Sequence, residues 1–541
     1  MSTNISKKKR DNLISKIKEI RTFISSAPQD ENTGNLLTYL SEIEKDIKGK
    51  KYGLVFEEHR EKIDDVLSTH TPVLTEEKDL FIENGGQMNF LIEGDNLASL
   101  QLLEKTHKGR IDLIYIDPPY NTGNKFIYDD KIVGDDDEFK HSKWASFIEK
   151  RIRIASQLLS KNGYIFISID DKELATIRLI CDNIFGESRF LTTIGWEKRT
   201  KCQNTKTARK MLQPKVEYIL CYRNFDSRAE FNCHVIGERN YPHADDVGNY
   251  RIEEIGQMGA SGIRGRGSMI FPIMGINPRE GNQWKIGLDT VNEFILRGDL
   301  FEQDGKVYRK IRPTDESSES IKPFWAFFNA EQYGTAESAK AELSTILGRK
   351  DHGFETVKPS QMIEELIFQA TNNQSIILDF FAGSGTTGQS VLAANRDYNG
   401  QRSFILCTNN ESNICREVTY ERIKRVINKE CYQACLKYYK VEFVPISEKL
   451  YYEYADELLL HIRELVELEN GISFNNNSEL AILLDEDEVS NFISDKKKLR
   501  SCKKIYLGHD VLLDGEQERI IEDMRIELNI IPEYYYKDLE G

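Results

Sequence analysis

The sequence predicts an α/β protein built on a mostly parallel sheet, and three observations carry that expectation. Short apolar, β-branched runs recur at 90–92, 111–116, 164–169, 216–222, 376–378 and 403–407. Most alternate with amphipathic stretches of helical period over short links, the rhythm of a parallel sheet with helices on both faces. Most of the runs end in loops bearing a carboxylate, and open α/β sheets place their ligands at that end of their strands. A chain of 541 residues exceeds one core, so two or three domains are expected.

Residues 1–80 read as a charged helical region. Ile5, Leu13, Ile14, Ile17 and Ile20 make one apolar face, Asn32-Thr33-Gly34 breaks it, and 36–47 forms a second amphipathic segment. The basic start Lys7-Lys8-Lys9-Arg10 reads as a solvated helix end, and Met1 to Arg10 lacks the apolar stretch of a secretory signal. The catalytic half of the core, 81–225, opens with the strand Phe90-Leu91-Ile92. Gly94-Asp95-Asn96 follows as a turn able to cap the helix beginning near Leu97.

The next strand, Ile111–Ile116, ends in Asp117-Pro118-Pro119-Tyr120. Two prolines cannot donate to a ladder, and Pro119 drives Pro118 to an extended shape. The loop is therefore stiff and carries a carboxylate, a carbonyl and an aromatic ring. Methylating an exocyclic amine requires more nucleophilicity from a nitrogen whose lone pair is delocalised into a ring. Two fixed acceptors for the amine hydrogens, Asp117 and the Pro118 carbonyl, draw that nitrogen toward tetrahedral geometry. Tyr120 offers a stacking face for a base taken out of its duplex. A plain strand-ending turn is the competing reading.

Residues 121–137 are expected to form a loop over the site. A helix over 144–159, the strand 164–169 and a helix to Phe185 with Gly186 as its stop continue the alternation. The stretch 197–215 is basic. Lys198, Arg199, Lys201, Arg209 and Lys210 are its candidate phosphate contacts, against the alternative of a solvated loop. Residues 226–345 break the α/β rhythm. Their glycine-rich segment carries Arg264 and Arg266, and arginines on such a backbone suit guanine edges or phosphates, so this insert is the expected target-recognition region.

The second half of the core, 346–440, holds Asp379-Phe380-Phe381-Ala382-Gly383-Ser384-Gly385-Thr386 after the strand 376–378. Glycines there admit close backbone approach to a ligand, and a helix start favours a negative group. The stretch is neither a full dinucleotide fingerprint nor a phosphate loop, because no Lys-Ser/Thr pair follows. After the strand 403–407, Asn409, Asn410 and Glu411 compete for the strand-end role that usually binds a ribose diol, with Glu411 the first candidate.

Asp-Pro-Pro-Tyr resembles the catalytic motif of amino-group DNA methyltransferases, and its Asp form resembles the N6-adenine enzymes. Lys51–His59, Asp95 directly before the catalytic strand, the 379–388 loop and Lys358-Pro359 resemble the Mod subunits of type III restriction-modification systems. The resemblance runs from about 50 to about 428 in the permuted motif order, catalytic motif first and cofactor loop last. It implies a Rossmann-like methyltransferase core with S-adenosylmethionine as cofactor. Asp95 and Asn96 would face the cofactor adenine, Asp379 its amino group, and Lys358 its carboxylate. Phe380 to Thr386 would line it, although Phe380 stands where the commonest form has proline. The resemblance further implies a homodimer and an ATP-dependent restriction (Res) subunit as partner.

Residues 441–541 read as a small acidic α/β domain suited to protein contact. They hold a helix over 451–468 and strands near 480–484 and 504–507. A net charge of −15 argues against unspecific nucleic-acid binding by the whole surface, so DNA contact must be local. Nine scattered cysteines without a Cys-x-x-Cys imply neither disulfides nor a metal site, and fit a reducing cytoplasm. No apolar run spans a bilayer. The function expected is methylation of a flipped adenine in double-stranded DNA. N4-cytosine methylation, an RNA substrate, and a sequence-reading subunit with dispensable methylation are the alternatives.

Overall fold

The computed structural model describes residues 5–26, 31–48, 54, 56–121, 140–206, 208–210, 212–224, 230–262, 265–317, 319–446, 451–474 and 477–536. Ten strands form the main sheet: β1 (His70–Glu76), β2 (Gln87–Glu93), β3 (Ile111–Ile116), β4 (Leu159–Ile169), β5 (Phe190–Glu197), β6 (Val216–Arg223), β7 (Phe327–Phe328), β8 (Ile376–Asp379), β9 (Ser403–Thr408) and β10 (Ala434–Pro445). Their spatial order is β1-β10-β2-β9-β8-β3-β4-β6-β5-β7. The run from β10 to β4 is parallel throughout. Antiparallel pairing is confined to β1 with β10 and to β6 with β4 and β5.

Both faces of the sheet are covered, which explains the near-continuous apolar strands. Ile114 and Ile116 point into one layer with Leu100, Leu103, Ile148, Ile152 and Ile177. Leu113 and Tyr115 point into the other with Met362, Leu366, Val391 and Ile423. Each layer is closed by helices, Asn96–His107, Lys140–Leu158 and Leu174–Phe185 on the first and Ser360–Ala370, Thr386–Asp397 and Glu421–Glu430 on the second.

Several expected boundaries move. The region 1–80 is not all helical: after the helices Ile5–Ser26, Glu31–Lys48 and Lys62–Leu67 it supplies the sheet's edge strand β1. Pro72 pairs opposite Phe443 there, a position where an edge strand tolerates proline. β10 carries the core past 440 to Pro445, because Val441 and Val444 continue its buried pattern. The insert is shorter than 226–345, since Phe327–Phe328 rejoins the main sheet beside β5 and Ala336–Leu347 packs on Val357 and Val418. What remains is a small β unit around Ile255, Ile273, Trp284, Val291, Leu300 and Val307. Its four-stranded antiparallel sheet, ordered 300–303, 306–311, 248–254, 243–245, is laced by cross-strand ion pairs.

The stretch 451–468 forms two helices, Tyr451–Leu459 and Ile462–Asn470, and the second packs Leu465, Val466 and Leu468 into the core beside Val73 and Leu74. Beyond it lies a three-stranded parallel sheet whose third strand, Glu527–Ile531, the sequence reading did not include. Among the described residues no helix is long and apolar enough to cross a membrane.

Candidate active site

The four central strands in the order β2-β9-β8-β3 end side by side, so Asp95, Asn409 to Glu411, Asp379 and Asp117 follow one another along one edge. Between β8 and β3 the chain order reverses. That is the crevice where doubly wound sheets hold ligands, and Asp379 and Asp117 flank it.

The catalytic loop is held from three sides. The Trp144 indole donates to the Pro119 carbonyl at 2.6 Å. Tyr120 OH donates to Asp117 Oδ1 at 2.5 Å, and the Lys358 ammonium donates to the same oxygen at 2.7 Å and to Tyr120 OH at 2.6 Å. Asn121, at φ 55°, donates to the buried Glu173 at 2.8 Å, which His141 also meets at 2.6 Å. Among the described residues Asp117 Oδ2 and the Pro118 carbonyl have no hydrogen-bond partner, so two acceptors stay open on a braced loop. Burial and then the Asp117 charge push the Tyr120 phenol well above its ordinary range, so it remains a neutral donor.

Lys358 is 8% exposed and also lies 3.5 Å from Glu217 Oε2 on β6. Burial alone would lower its ammonium, but Asp117 and Glu217 together hold it above its ordinary value. Breaking a fully buried pair costs about 3–5 kcal/mol. The cost here is smaller, because Asp117 is 34% exposed. Beside the loop a cavity of about 210 Å³ is lined by Trp196, Arg199, Lys201, Glu217, Lys340 and Lys358.

The second loop is built differently. Asp379 is buried and accepts from Phe381 N at 3.0 Å and from Thr387 Oγ1 at 2.5 Å. Burial raises its carboxyl to about 7 against those two hydrogen bonds, with the Asp117 charge adding to the rise. Gly383 and Gly385 sit at φ 46° and 76°, where a side chain is strained, and a Cβ on Gly385 would press on Thr419 at 3.2 Å. Underneath, the fully buried Arg422 donates to Thr386 Oγ1 at 2.7 Å and to the Ser384 carbonyl at 3.2 Å. Phe380, Phe381 and Ala382 are buried in the core layers.

The other expected residues divide. Asp95 is the N-cap of Asn96–His107, accepting from Leu97 N at 2.7 Å. Asn96 donates to the Phe380 carbonyl at 3.2 Å, tying the β2 end to the cofactor loop. Pro359 caps the helix Ser360–Ala370, and Asn410 accepts from Arg416 N at 3.2 Å. Lys358, expected on a cofactor carboxylate, bonds Asp117 Oδ1 at 2.7 Å in this structure. In the basic stretch Lys198 is occupied by Glu217 at 2.8 Å. Arg199 and Lys201 line the cavity, while Arg209 and Lys210 are exposed, Arg209 bonding Asn204 at 2.9 Å. Arg266 is exposed in the insert; Arg264 and the loop beyond Asn121 lie outside the described residues. Sequence reasoning missed Trp144, Glu173, Glu217 and Arg422, which lie inside ordinary strand or helix patterns and carry no motif.

A family model for DNA methylases matches residues 111–428, more than half of the chain. The chain belongs to this DNA methylase family. The Mod subunit of the StyLTI type III restriction-modification enzyme of Salmonella typhimurium is 29% identical over 402 residues, covering 65% of this chain and 59% of the relative. The EcoPI Mod subunit of Escherichia phage P1 is 30% identical, covering 61% and 58%. The chain thus spans less than two thirds of either Mod relative. The type II methyltransferase M.KpnI of Klebsiella pneumoniae is 33% identical over 353 residues, covering 61% of this chain and 82% of the relative.

DNA methylases of this family take their methyl group from S-adenosylmethionine. The residues at the crevice fit that molecule. Asp379 is a buried acceptor bonded only to neutral donors among the described residues, as suits a ligand bringing its own positive charge. Gly383 and Gly385 hold positive-φ backbone shapes in which side chains are strained, and at the neighbouring strand end Thr408 Oγ1 is buried without a partner among the described residues.

Proposed function

We propose that this DNA methylase transfers a methyl group from S-adenosylmethionine to the N6 amine of an adenine flipped from double-stranded DNA. One observation carries the reading: on the 117–120 loop, Asp117 Oδ1, Tyr120 OH and the Pro119 carbonyl are held, while Asp117 Oδ2 and the Pro118 carbonyl have no partner among the described residues. These two acceptors take the two amine hydrogens, and the nitrogen's lone pair is left facing the crevice. Tyr120 stacks on the base, and the closed apolar layers beneath exclude water. S-adenosylmethionine, bound against Asp379 and the 382–385 backbone, supplies an electrophilic methyl. The new N–C bond replaces the S–C bond, S-adenosylhomocysteine is the leaving group, and Asp117 Oδ2 or solvent takes the amine proton.

Adenine is favoured over cytosine because the motif opens with Asp. Its Mod relatives support a role as the modification subunit of a restriction-modification system, and the homodimer and the Res partner that the resemblance implies are proposed with it. The test is to incubate the chain with duplex DNA and methyl-labelled S-adenosylmethionine, digest the DNA to nucleosides and identify the labelled base. N6-methyladenine is the expected product; label in N4-methylcytosine overturns the adenine assignment, and no label overturns the activity.

A further inference from the structure

Lys358 sits in the segment leading into Ser360–Ala370, far in sequence from the loop it touches. Its ammonium has three hydrogens, and the surroundings account for all of them. One bond goes to Asp117 Oδ1 at 2.7 Å and one to Tyr120 OH at 2.6 Å, and the remaining side faces Glu217 Oε2 at 3.5 Å. Glu217 is itself fixed by Lys198 at 2.8 Å through its other oxygen. The ammonium lies 5.0 Å from the Tyr120 ring centre and 5.7 Å from that of Trp196, so an aromatic wall stands on two sides. In this structure each of the three contacts of the ammonium is to an oxygen of the protein.

We propose that Lys358, tethered by Glu217, is a positioning residue for the target base rather than a ligand of the methyl donor. An aspartate beyond a strand end can turn about two side-chain bonds, and proline rigidity fixes only the backbone. Holding Asp117 Oδ1 from Lys358 and Tyr120 together restrains the carboxylate plane and leaves Oδ2 for the target amine. The bond to Tyr120 OH fixes the tilt of the ring on which the base stacks. One ammonium thereby registers both the acceptor pair and the stacking platform. Glu217 keeps it there, anchoring the loop on β3 to the antiparallel strand β6 two places along the sheet. The inference rests on the amine-methylation reading above.

The test compares Lys358→Met, Lys358→Arg and Glu217→Gln with the wild-type chain. It measures kcat, KM for DNA and equilibrium S-adenosylmethionine binding. Misplacing a reacting group by an ångström costs about a hundredfold in rate, and Lys358→Met is expected to lose that much in kcat with cofactor affinity unchanged. Lys358→Arg keeps the charge and is expected to recover part of kcat. Glu217→Gln is expected to shift kcat in the same sense by a smaller factor, and it serves as the deciding variant if Lys358→Met does not fold. A cofactor affinity that collapses at unchanged saturated kcat would make Lys358 a cofactor ligand and overturn the proposal, as would wild-type kcat in both Lys358→Met and Glu217→Gln. A wild-type chain inert on DNA sinks the methylation reading itself, an outcome distinct from active wild type with indifferent variants.

Discussion

Asp379 and Asp117 end neighbouring parallel strands and open onto one crevice, yet their surroundings are opposite. Asp379 is buried among neutral donors, and its carboxyl is pushed up to about 7. Asp117 carries an ammonium at 2.7 Å supplied by the chain. The difference follows from what each must meet. On the proposed reading Asp379 awaits a ligand that brings a positive charge, so a built-in cation would compete with it. Asp117 must polarise a neutral amine, so the balancing charge has to come from the protein. Two aspartates of the same sheet edge are thus tuned by what the protein withholds from one and gives to the other.

The largest expected effect breaks the Asp117 side of this comparison. Removing one preorganised polar group at a reacting centre costs about 10²–10³-fold in kcat, and Asp117→Ala is expected to fall by at least that while its cofactor affinity stays near wild type. Labelled methyl transfer and equilibrium cofactor binding on the same sample check it. Normal turnover would remove Asp117 from the reaction.

The converse variant breaks the other side. A hydrogen bond to a charged group is worth about 1.5–3 kcal/mol, so Asp379→Ala should weaken S-adenosylmethionine binding by roughly ten- to a hundredfold and leave kcat at saturation far less affected. Calorimetry that shows undiminished affinity in folded Asp379→Ala would falsify the assignment of the pocket.

A pH series sharpens the comparison further. With its carboxyl raised to about 7, Asp379 in the free protein is protonated below that pH and cannot pair with a cationic amino group. The ligand's charge lowers the same group in the complex, so binding expels a proton. Affinity should therefore be full above about pH 7 and decline on acidification by at most roughly tenfold per pH unit. Asp379→Asn should give a flat profile over the same range. A wild-type affinity that rises on acidification contradicts the sign.

The contrast between the two aspartates was only half legible in the sequence. The strands were visible because buried parallel strands are apolar almost throughout, and both loops were visible because proline and glycine mark backbone shapes that few other residues allow. The edge strand β1 was hidden, since His70-Thr-Pro-Val-Leu-Thr-Glu76 is short, holds a proline and pairs with a strand more than 350 residues away. Asp95 showed itself as either a cap or a ligand, and its bond to Leu97 N makes it a cap whatever else it does. The Lys358 pairing was beyond reach, because Asp117, Glu217 and Lys358 lie on three separate elements and meet only when β3 and β6 take their places. Local sequence patterns report backbone preference and burial; they do not report which charge faces which across a sheet.

The smallest expected effect concerns the basic stretch, where the same lesson applies to cations. Lys198 belongs to the catalytic network through Glu217, whereas Arg199 and Lys201 line the open cavity and Lys210 is exposed. A residue already paired inside the protein releases no counterion from DNA when it binds. On that ground the five basic candidates are not equivalent. Each phosphate contact contributes about 0.9 to the slope of log K against log salt. Neutralising Arg199, Lys201 and Lys210 together should flatten that slope by up to roughly three such units, at every DNA sequence, since phosphate contacts carry no base information. Neutralising Lys198 alone should leave the slope unchanged and instead lower kcat modestly, because Glu217 loses its second tether. Titrations of duplex DNA at several salt concentrations, read beside methyl-transfer rates, separate the two. A slope that drops for Lys198 and not for the triple variant would place the DNA on the other side of the catalytic loop.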